Sequence, residues 1–600
     1  MAQFKHFLLY LFPLSMLTGC PWDSGSSHET SLSSFNLTDI EVTNSSGTSG
    51  RIGTANFTWT SAEDEENDDE DNINYSVCQK DTTETDNCDS LTSVTNSLTA
   101  SNIEVGALNA YLNSYFILAN ADDETEASNE KDFASDDITS LIGYIKASNA
   151  EASDVFGTMV ALSGDGKTLA VSASQEKSAA TGVNGDDTDN SISNAGAVYV
   201  YRNVNGSWYK QAYLKSSSPT ATDYFGNDIA ISDDGNTLAV GVFYEDSNAT
   251  GIDGDATDNS SSNSGAVYIF KYSGSAWVQS AYLKASNTSA SAEFGRNIAI
   301  SGDGNTVAVG SYREDTTATD SGAVYIFRYS SGWTQEALLK ASTAEASDHF
   351  GMSMSLSYNG NVVAIGAQDE DSSATGIDGD ESDNSASSSG AVYVFKYSSS
   401  WTQNAFIKAS NSEAGDYFGT FVSLSSDGNT LAVGANGEDS SSTTIDANSS
   451  DNTLSASGAV YVFRYSSGWT QQSYIKPTTL SSNDAFGSAV RLSSSGNILA
   501  VTSTGEDSDA TGIGGDGTND NASGSGAVYL FKYSDSAWSQ NAYIKASNTE
   551  ASDAFGSSIS LDSDGSRLAV GSRGEDSQAT NINGDQTDNT YSSAGAVYLY

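Results

Sequence analysis

Six acidic loops carry the residues in this 600-residue chain whose types and spacing are best suited to chemistry. One reads Glu245-Asp246-Ser-Asn-Ala-Thr-Gly-Ile-Asp253-Gly254-Asp255-Ala-Thr-Asp258-Asn259. The same spacing returns with Asp378, Asp380 and Asp383, with Asn184, Asp186 and Asp189, and with Asn583, Asp585 and Asp588. Asp446, Asn448 and Asp451 make a fifth copy, and a degenerate sixth keeps Asp516 behind Gly514. Oxygens gathered around a glycine bend suit a hard cation, and Ca2+ takes about six to eight of them at about 2.3–2.6 Å. These loops hold neither His nor Cys, which argues against zinc. The spacing is not that of an EF-hand. Ca2+ is one reading of the loops. The other is an Asx-turn, in which each Asp or Asn accepts hydrogen bonds from its own backbone.

A second set of residues suggests a binding surface. Phe243 and Tyr244 stand immediately before the second copy's loop, where other copies carry residues such as Gly, Gln or Asn. The third copy lacks the insert, and Tyr312 and Arg313 lie beside its short connection Glu314–Ser321. Arg296 follows Phe294-Gly295 in the same copy. Exposed aromatics beside arginine are the chemistry of binding hot spots; drift within a repeat accounts for the same residues. Catalysis has less to work with. The three histidines are His6, His28 and His349, and no cysteine follows Cys88. With acid–base residues this sparse, the expectation is a binding or adhesion protein and not an enzyme. A carboxylate pair acting on polysaccharide is the catalytic alternative.

A long repeat positions these residues. Phe-Gly occurs at Phe156, Phe225, Phe294, Phe350, Phe418, Phe486 and Phe555, spaced by 69, 69, 56, 68, 68 and 69 residues. Each unit reads as four short strands, the first two flanking a turn such as Asp-Asp-Gly-Asn. A four-stranded antiparallel unit repeated at this period predicts an all-β, seven-bladed propeller. The seventh unit stops at Tyr600, after its third strand, while Ile142–Ser148 matches the fourth strand of other units and precedes the first Phe-Gly. That segment is expected to close the last blade, with Thr139 where the other blades carry Trp208, Trp277, Trp333, Trp401, Trp469 and Trp538. The tryptophans are expected to pack between blades. Lys146, Lys215, Lys284, Lys340, Lys408, Lys476 and Lys545 end the fourth strands, and Asp154, Asp223, Asp348, Asp416, Asp484 and Asp553 sit two residues before Phe. Exposed pairing between these two series is expected to contribute about 0–1 kcal/mol each. In such blades the acidic loops and the Phe-Gly turns share one face.

Phe-Gly, a strand pair and then Gly-Ala-Val-Tyr-Val-Phe resemble the FG-GAP repeats of the integrin alpha-chain propeller and its bacterial relatives, from Tyr144 to Tyr600. The resemblance implies a propeller used for adhesion or ligand binding. The integrin calcium loop between the first two strands is not carried over, because that connection is only Asp165–Lys167, Asp303–Asn305 or Asp427–Asn429 here.

The apolar stretch Phe7–Leu17 followed by Leu17-Thr18-Gly19-Cys20 resembles a bacterial lipoprotein signal over residues 1–19. That implies export, lipidation at Cys20 and an outer-membrane or cell-surface location, with membrane contact only through the anchor. A Ser/Gly-rich tether follows over residues 20–30. Residues 31–127 resemble a small fibronectin type III-like β-sandwich, expected to act as a spacer before the propeller at 138–600. Cys78 and Cys88 are expected to form a disulfide in an exported chain. The run Glu63–Asp71 reads as a solvated loop. A net charge of −53 repels phosphate backbones, so the expected partner is an extracellular protein or polysaccharide and not nucleic acid. A calcium-binding scaffold is the structural alternative, and the sequence fixes no oligomeric state.

Overall fold

The computed structural model describes residues 32–44, 49–62, 73–81, 88–121, 124–447 and 449–600. Cys20, the signal and tether segments, the run Glu63–Asp71 and Asn448 lie outside the described residues.

From Phe156 onward the chain forms seven consecutive antiparallel sheets, each built on strands that follow one another in sequence, with strands from the N-terminal side added to the first and the last. The second is typical, with strands Ile229–Ile231, Thr237–Val242, Ala266–Tyr272 and Trp277–Leu283. Its first turn is held by Asp234, whose Oδ1 accepts from the Asn236 amide at 3.0 Å and the Ser232 hydroxyl at 2.5 Å. An Asx-turn therefore replaces any ion at this connection.

Alternation along the third strand divides its side chains between two cores. Tyr268 and Phe270 pack with Val198, Val200 and Leu214 of the preceding unit. Val267 and Ile269 pack with Phe294, Val307 and Phe327 of the following unit. Each sheet is thus apolar on both faces and needs a neighbour on each side. The tryptophans sit in these inter-unit cores: Trp277 Nε1 donates to Gln211 of the preceding unit at 2.8 Å, and Trp401 Nε1 to Glu336 at 3.0 Å. Outside them runs a series of cation–π contacts between units. The Lys271 ammonium lies 3.5 Å from the Tyr329 ring, and Lys396 lies 3.2 Å from Tyr465.

The Phe-Gly turn locks one unit to the previous one. The Phe294 amide donates to Ser264 O at 3.1 Å, next to Gly265 at φ +80°. A Cβ on Gly265 would sit 2.0 Å from Phe294 O, so only glycine allows this approach. At the other end of the sheets, backbone hydrogen bonds run from Asp165 to Asp233, Asp233 to Gly302, Asp303 to Tyr358, Tyr358 to Ser426, Ser426 to Ser494, Ser494 to Ser563, and Ser563 back to Gly164. The circuit returns to its start.

The last sheet takes its fourth strand from the N-terminal side. Gly143–Ile145 pairs antiparallel with Ala596–Leu599, matching Tyr144 with Tyr598. Thr139 does not take the tryptophan position expected for it. It lies in the helix Ser135–Leu141, because the chain turns helical before the strand begins.

Residues before this helix form two small sheets. One orders Leu37–Val42, Thr54–Trp59 and Thr99–Glu104; the other orders Asp89–Thr95, Asn74–Asp81, Asn113–Ala121 and Glu124–Ala127. Phe57, Trp59, Tyr75, Val77, Tyr115 and Ile117 fill the space between them. A disulfide joins Cys78 and Cys88. This module is not a free spacer. Its short strand Ser49–Arg51 adds a fifth strand to the first repeat sheet, beside Ser207–Leu214. Ile52 fills the space over Gly143, where a Cβ would lie 2.4 Å from its Cγ2. Glu104 pairs with Arg567 and accepts from Asn203. Among the described residues no helix is long and apolar enough to cross a membrane.

Candidate functional site

The lysine that ends the fourth strand is fully buried in six units and 20% exposed at Lys340, and its partner is not the aspartate before Phe. Lys284 Nζ lies 2.8 Å from Glu245 Oε2 and 2.8 Å from Ser264 Oγ, while Tyr282 donates to Glu245 Oε1 at 2.6 Å. The pairs Lys146–Glu575, Lys215–Glu176, Lys408–Glu370, Lys476–Glu438 and Lys545–Glu506 repeat this at 2.6–3.0 Å, and Lys340 pairs with Glu314. The expected surface pairing is therefore corrected to a buried one. Each glutamate opens the acidic loop, so the ion pair anchors that loop to its own sheet.

The aspartates before Phe hold the turn instead. Asp416 Oδ2 accepts from the Glu413 amide at 2.9 Å, and Asp154, Asp223, Asp348, Asp484 and Asp553 repeat the bond three residues upstream. Only Asp154 among them has a lysine, Lys177, at 2.8 Å. Burial pushes the carboxyls of Asp223, Asp348, Asp416, Asp484 and Asp553 up to about 7, and that of Asp154 to about 6. A carboxyl whose pKa rises on folding stabilises the fold fully below its unfolded value of about 4, and that contribution is lost as pH climbs through 7. The melting temperature is therefore expected to be higher at pH 5 than at pH 8. Asp416→Asn and Asp484→Asn together should flatten that slope in a thermal-melt series.

Within the loops, each carboxylate is turned to its own backbone. The first position, Asp253, Asp378, Asp446, Asn184 or Asn583, has positive φ and accepts from a fourth-strand amide; for Asp253 the donor is Tyr282 at 2.9 Å. Asp186, Asp255, Asp380 and Asp585 accept from the amide and hydroxyl two residues on, which holds their carboxyls below the usual range although they are exposed. Asp189 Oδ2 takes the Ala179 amide at 3.0 Å, Asp258 and Asp588 accept the amide two residues on, Asp383 accepts from Ser373, and Asp246 Oδ1 takes the Asn263 amide at 2.7 Å. Among the described residues no three acidic, His or Cys side chains converge as a metal requires. The Asx-turn accounts for this arrangement. Chelator should leave the melting temperature unchanged, and calorimetry with CaCl2 should show no binding heat.

The aromatic and arginine residues of the second and third units do come together. The Arg296 guanidinium lies 4.5 Å from the Phe243 ring and 5.8 Å from Tyr312, and Arg313 lies 5.4 Å from Tyr312. Glu293 ties them, accepting from Tyr312 at 3.0 Å with Arg313 at 3.6 Å and Arg296 at 3.9 Å. Phe243 stacks on Tyr244 at 3.9 Å, and Tyr224 lies 5.8 Å from both. Phe243 and Tyr312 are buried, not exposed as expected, because the guanidiniums and neighbouring rings cover them. Arg313 is exposed, and Tyr244 and Arg296 are partly so. His349 Nδ1 lies 2.7 Å from Asp369, with the Tyr312 ring at 5.2 Å. Among the described residues its ring makes no hydrogen bond to a serine.

This cluster edges a cavity of about 660 Å³ lined by first-strand residues of all seven units, including Met159, Asp228, Arg296, Met354, Val422, Arg491 and Ser560. Arg573, at the position of Phe243 in the last unit, reaches its mouth. Nothing in the repeat pattern pointed to the cavity, although Asp228 and Arg491 break an otherwise apolar or hydroxyl-bearing series of first strands.

A family model described as FG-GAP repeat matches residues 140–201, 208–270, 277–327, 333–395, 401–463 and 538–600, more than half of the chain. The chain belongs to the FG-GAP repeat family. Each full-length match starts one strand before a Phe-Gly turn, so the first includes the closing strand Gly143–Ile145. The FG-GAP model leaves 464–537 unmatched, where Ser495 stands in place of the turn aspartate and Thr502 in place of the second-strand Gly. The sheet there is formed nonetheless, from Phe486–Leu492, Ile498–Ser503, Ala527–Ser534 and Ala537–Ile544. Among solved structures, the chain is similar to Pseudomonas aeruginosa periplasmic gluconolactonase at 12% identity and TM-score 0.37, covering 80% of this chain and 98% of that one. RRP9 WD40 repeats match at 10% identity and TM-score 0.38, over 76% and 96%. No curated protein matches the chain.

Proposed function

We propose that this FG-GAP protein is a seven-bladed β-propeller with a fibronectin type III-like sandwich at its N-terminal side. In this reading it is exported, anchored at a bacterial surface by lipid on Cys20, and used for adhesion. It captures an extracellular protein or polysaccharide through the face that carries the Phe-Gly turns. The observation that carries the reading is the Arg296–Phe243–Tyr312–Arg313 cluster. It lies in the one sector whose connection, Glu314–Ser321, is too short to hold an acidic insert. Elsewhere the inserts ring the face with negative charge, and in this sector an approaching partner meets two arginines beside aromatic surface. Binding is preferred to catalysis because the described cluster supplies ring faces and guanidiniums, and its His349 lacks a nucleophile.

An array of matrix proteins and glycans tests this with the purified chain and Tyr244→Ala/Arg313→Ala. Both side chains are at least partly exposed, so the variant should melt with the parent. Capture should fall about tenfold or more. Equal capture by parent and variant would reject the rim sector as the binding surface.

A further inference from the structure

The central cavity inverts the charge of the molecule around it. The chain has 78 acidic and 25 basic residues. The charged residues lining the cavity are three arginines, Arg296, Arg491 and Arg573, against the single carboxylate of Asp228. Asp228 is committed inward, accepting from the Ile229 amide at 2.9 Å and the Ile298 amide at 2.6 Å, and burial lifts its carboxyl to about 7. Arg491 donates to Val490 O at 3.0 Å and lies 4.7 Å from the Phe421 ring. Among the described residues no carboxylate lies within ion-pair distance of Arg491 or Arg573. Asn297 Oδ1, in the same wall, is buried without a hydrogen-bond partner.

The remaining wall mixes aliphatic residues such as Met159, Ile229 and Met354 with the hydroxyls and amides of Thr158, Gln175, Asn227 and Ser423. Tyr224 and Phe243 stand at the mouth. The floor is a band of aliphatic residues, since Leu162, Ile300 and Leu356 line both this cavity and a smaller one beneath it. Beneath that lies the closed backbone circuit.

We propose that the cavity is a binding site for an acidic sugar, whose uronate carboxylate is met by the arginines of its wall, Arg491 and Arg573. Guanidinium is the group best matched to a carboxylate, which it can grip with two parallel hydrogen bonds. Asn297 Oδ1 can accept from a sugar hydroxyl, and aromatic rings at the mouth suit the apolar face of the ring. The site shares Arg296 and Phe243 with the rim cluster, but Tyr244 and Arg313 do not line it.

The test is isothermal titration of the full chain with D-glucuronate and with oligogalacturonate at low salt, against D-glucose as the neutral control. Binding of both uronates and none of glucose is expected, with weakening by about tenfold or more in Arg573→Ser and in Arg491→Met. Arg573 is exposed, so its variant stays informative if Arg491→Met misfolds. Tyr244→Ala/Arg313→Ala should bind uronate as the parent does, which separates this site from the rim. Equal binding of glucose, unchanged affinity in Arg573→Ser, or acetate binding as tightly as glucuronate would each overturn the assignment.

Discussion

Lys284→Met is expected to cost about 3–5 kcal/mol, read as a lowered midpoint in urea unfolding, because it strands a buried carboxylate. Lys284 is inaccessible to solvent, and Glu245 beneath it is nearly so. With the ammonium gone, Glu245 keeps only the Tyr282 hydroxyl at 2.6 Å to offset its lost hydration. Ser264 Oγ loses its donor as well. The double variant Lys284→Met/Glu245→Leu removes the stranded charge and should recover much of the loss, since a buried pair replaced whole by apolar groups is often neutral. A comparison keeps the claim sharp. Lys210 and Asp187 lie equally close, at 2.8 Å, but each is about a quarter exposed. Lys210→Met should therefore cost less than about 1 kcal/mol. Equal effects at Lys284 and Lys210 would show that burial does not decide the strength of these pairs.

The same lysine shows where the sequence stops being readable. Lysine and glutamate recur in every unit and the aspartate in six of the seven, with Ala292 in its place in the third, so spacing alone offers most of the lysines two acidic partners. Reach and burial choose between them. Glu245 opens the loop directly over the end of the fourth strand, whereas Asp223 is occupied in holding the Thr220 amide. The strands themselves were legible because their alternation is dictated by two flat packing faces, and the closing segment because Tyr144-Ile145-Lys146 repeats the fourth-strand ending. Proximity of Arg296, Phe243, Tyr312 and Arg313 was also legible, as neighbouring departures from one pattern. Their burial was not, because it depends on guanidiniums from one unit lying over rings of another. The strand Ser49–Arg51 gave no signal at all: three residues without alternation become a strand only because an edge is waiting for them. The cavity was hidden for a related reason. Its wall is assembled from short stretches of each unit, and three arginines far apart in the chain come to line one cavity only when the sheets are set side by side.

The circuit of sheets makes the segment before the first Phe-Gly turn a structural keystone, and its removal should have the second large effect. A chain beginning at residue 132 keeps the helix Ser135–Leu141 and the strand Gly143–Ile145; one beginning at residue 147 loses both. The longer chain should melt as a monomer well above the shorter one, having lost the added edge strand Ser49–Arg51, the cover of Ile52 and the Glu104 contacts to Arg567 and Asn203. The shorter one leaves Ala596–Leu599 as an open edge and strands Glu575, whose partners are Lys146 at 2.6 Å and the Tyr144 hydroxyl at 2.6 Å. Losing that pair alone should cost about 3–5 kcal/mol, and the unpaired edge invites association between chains. Light scattering should then find oligomers, and the melting temperature should fall well below that of the longer chain. A synthetic peptide covering residues 138–148 should restore both readings, since it returns the strand and the lysine together. If the two truncated chains melt alike and both stay monomeric, the ring does not depend on this strand for closure.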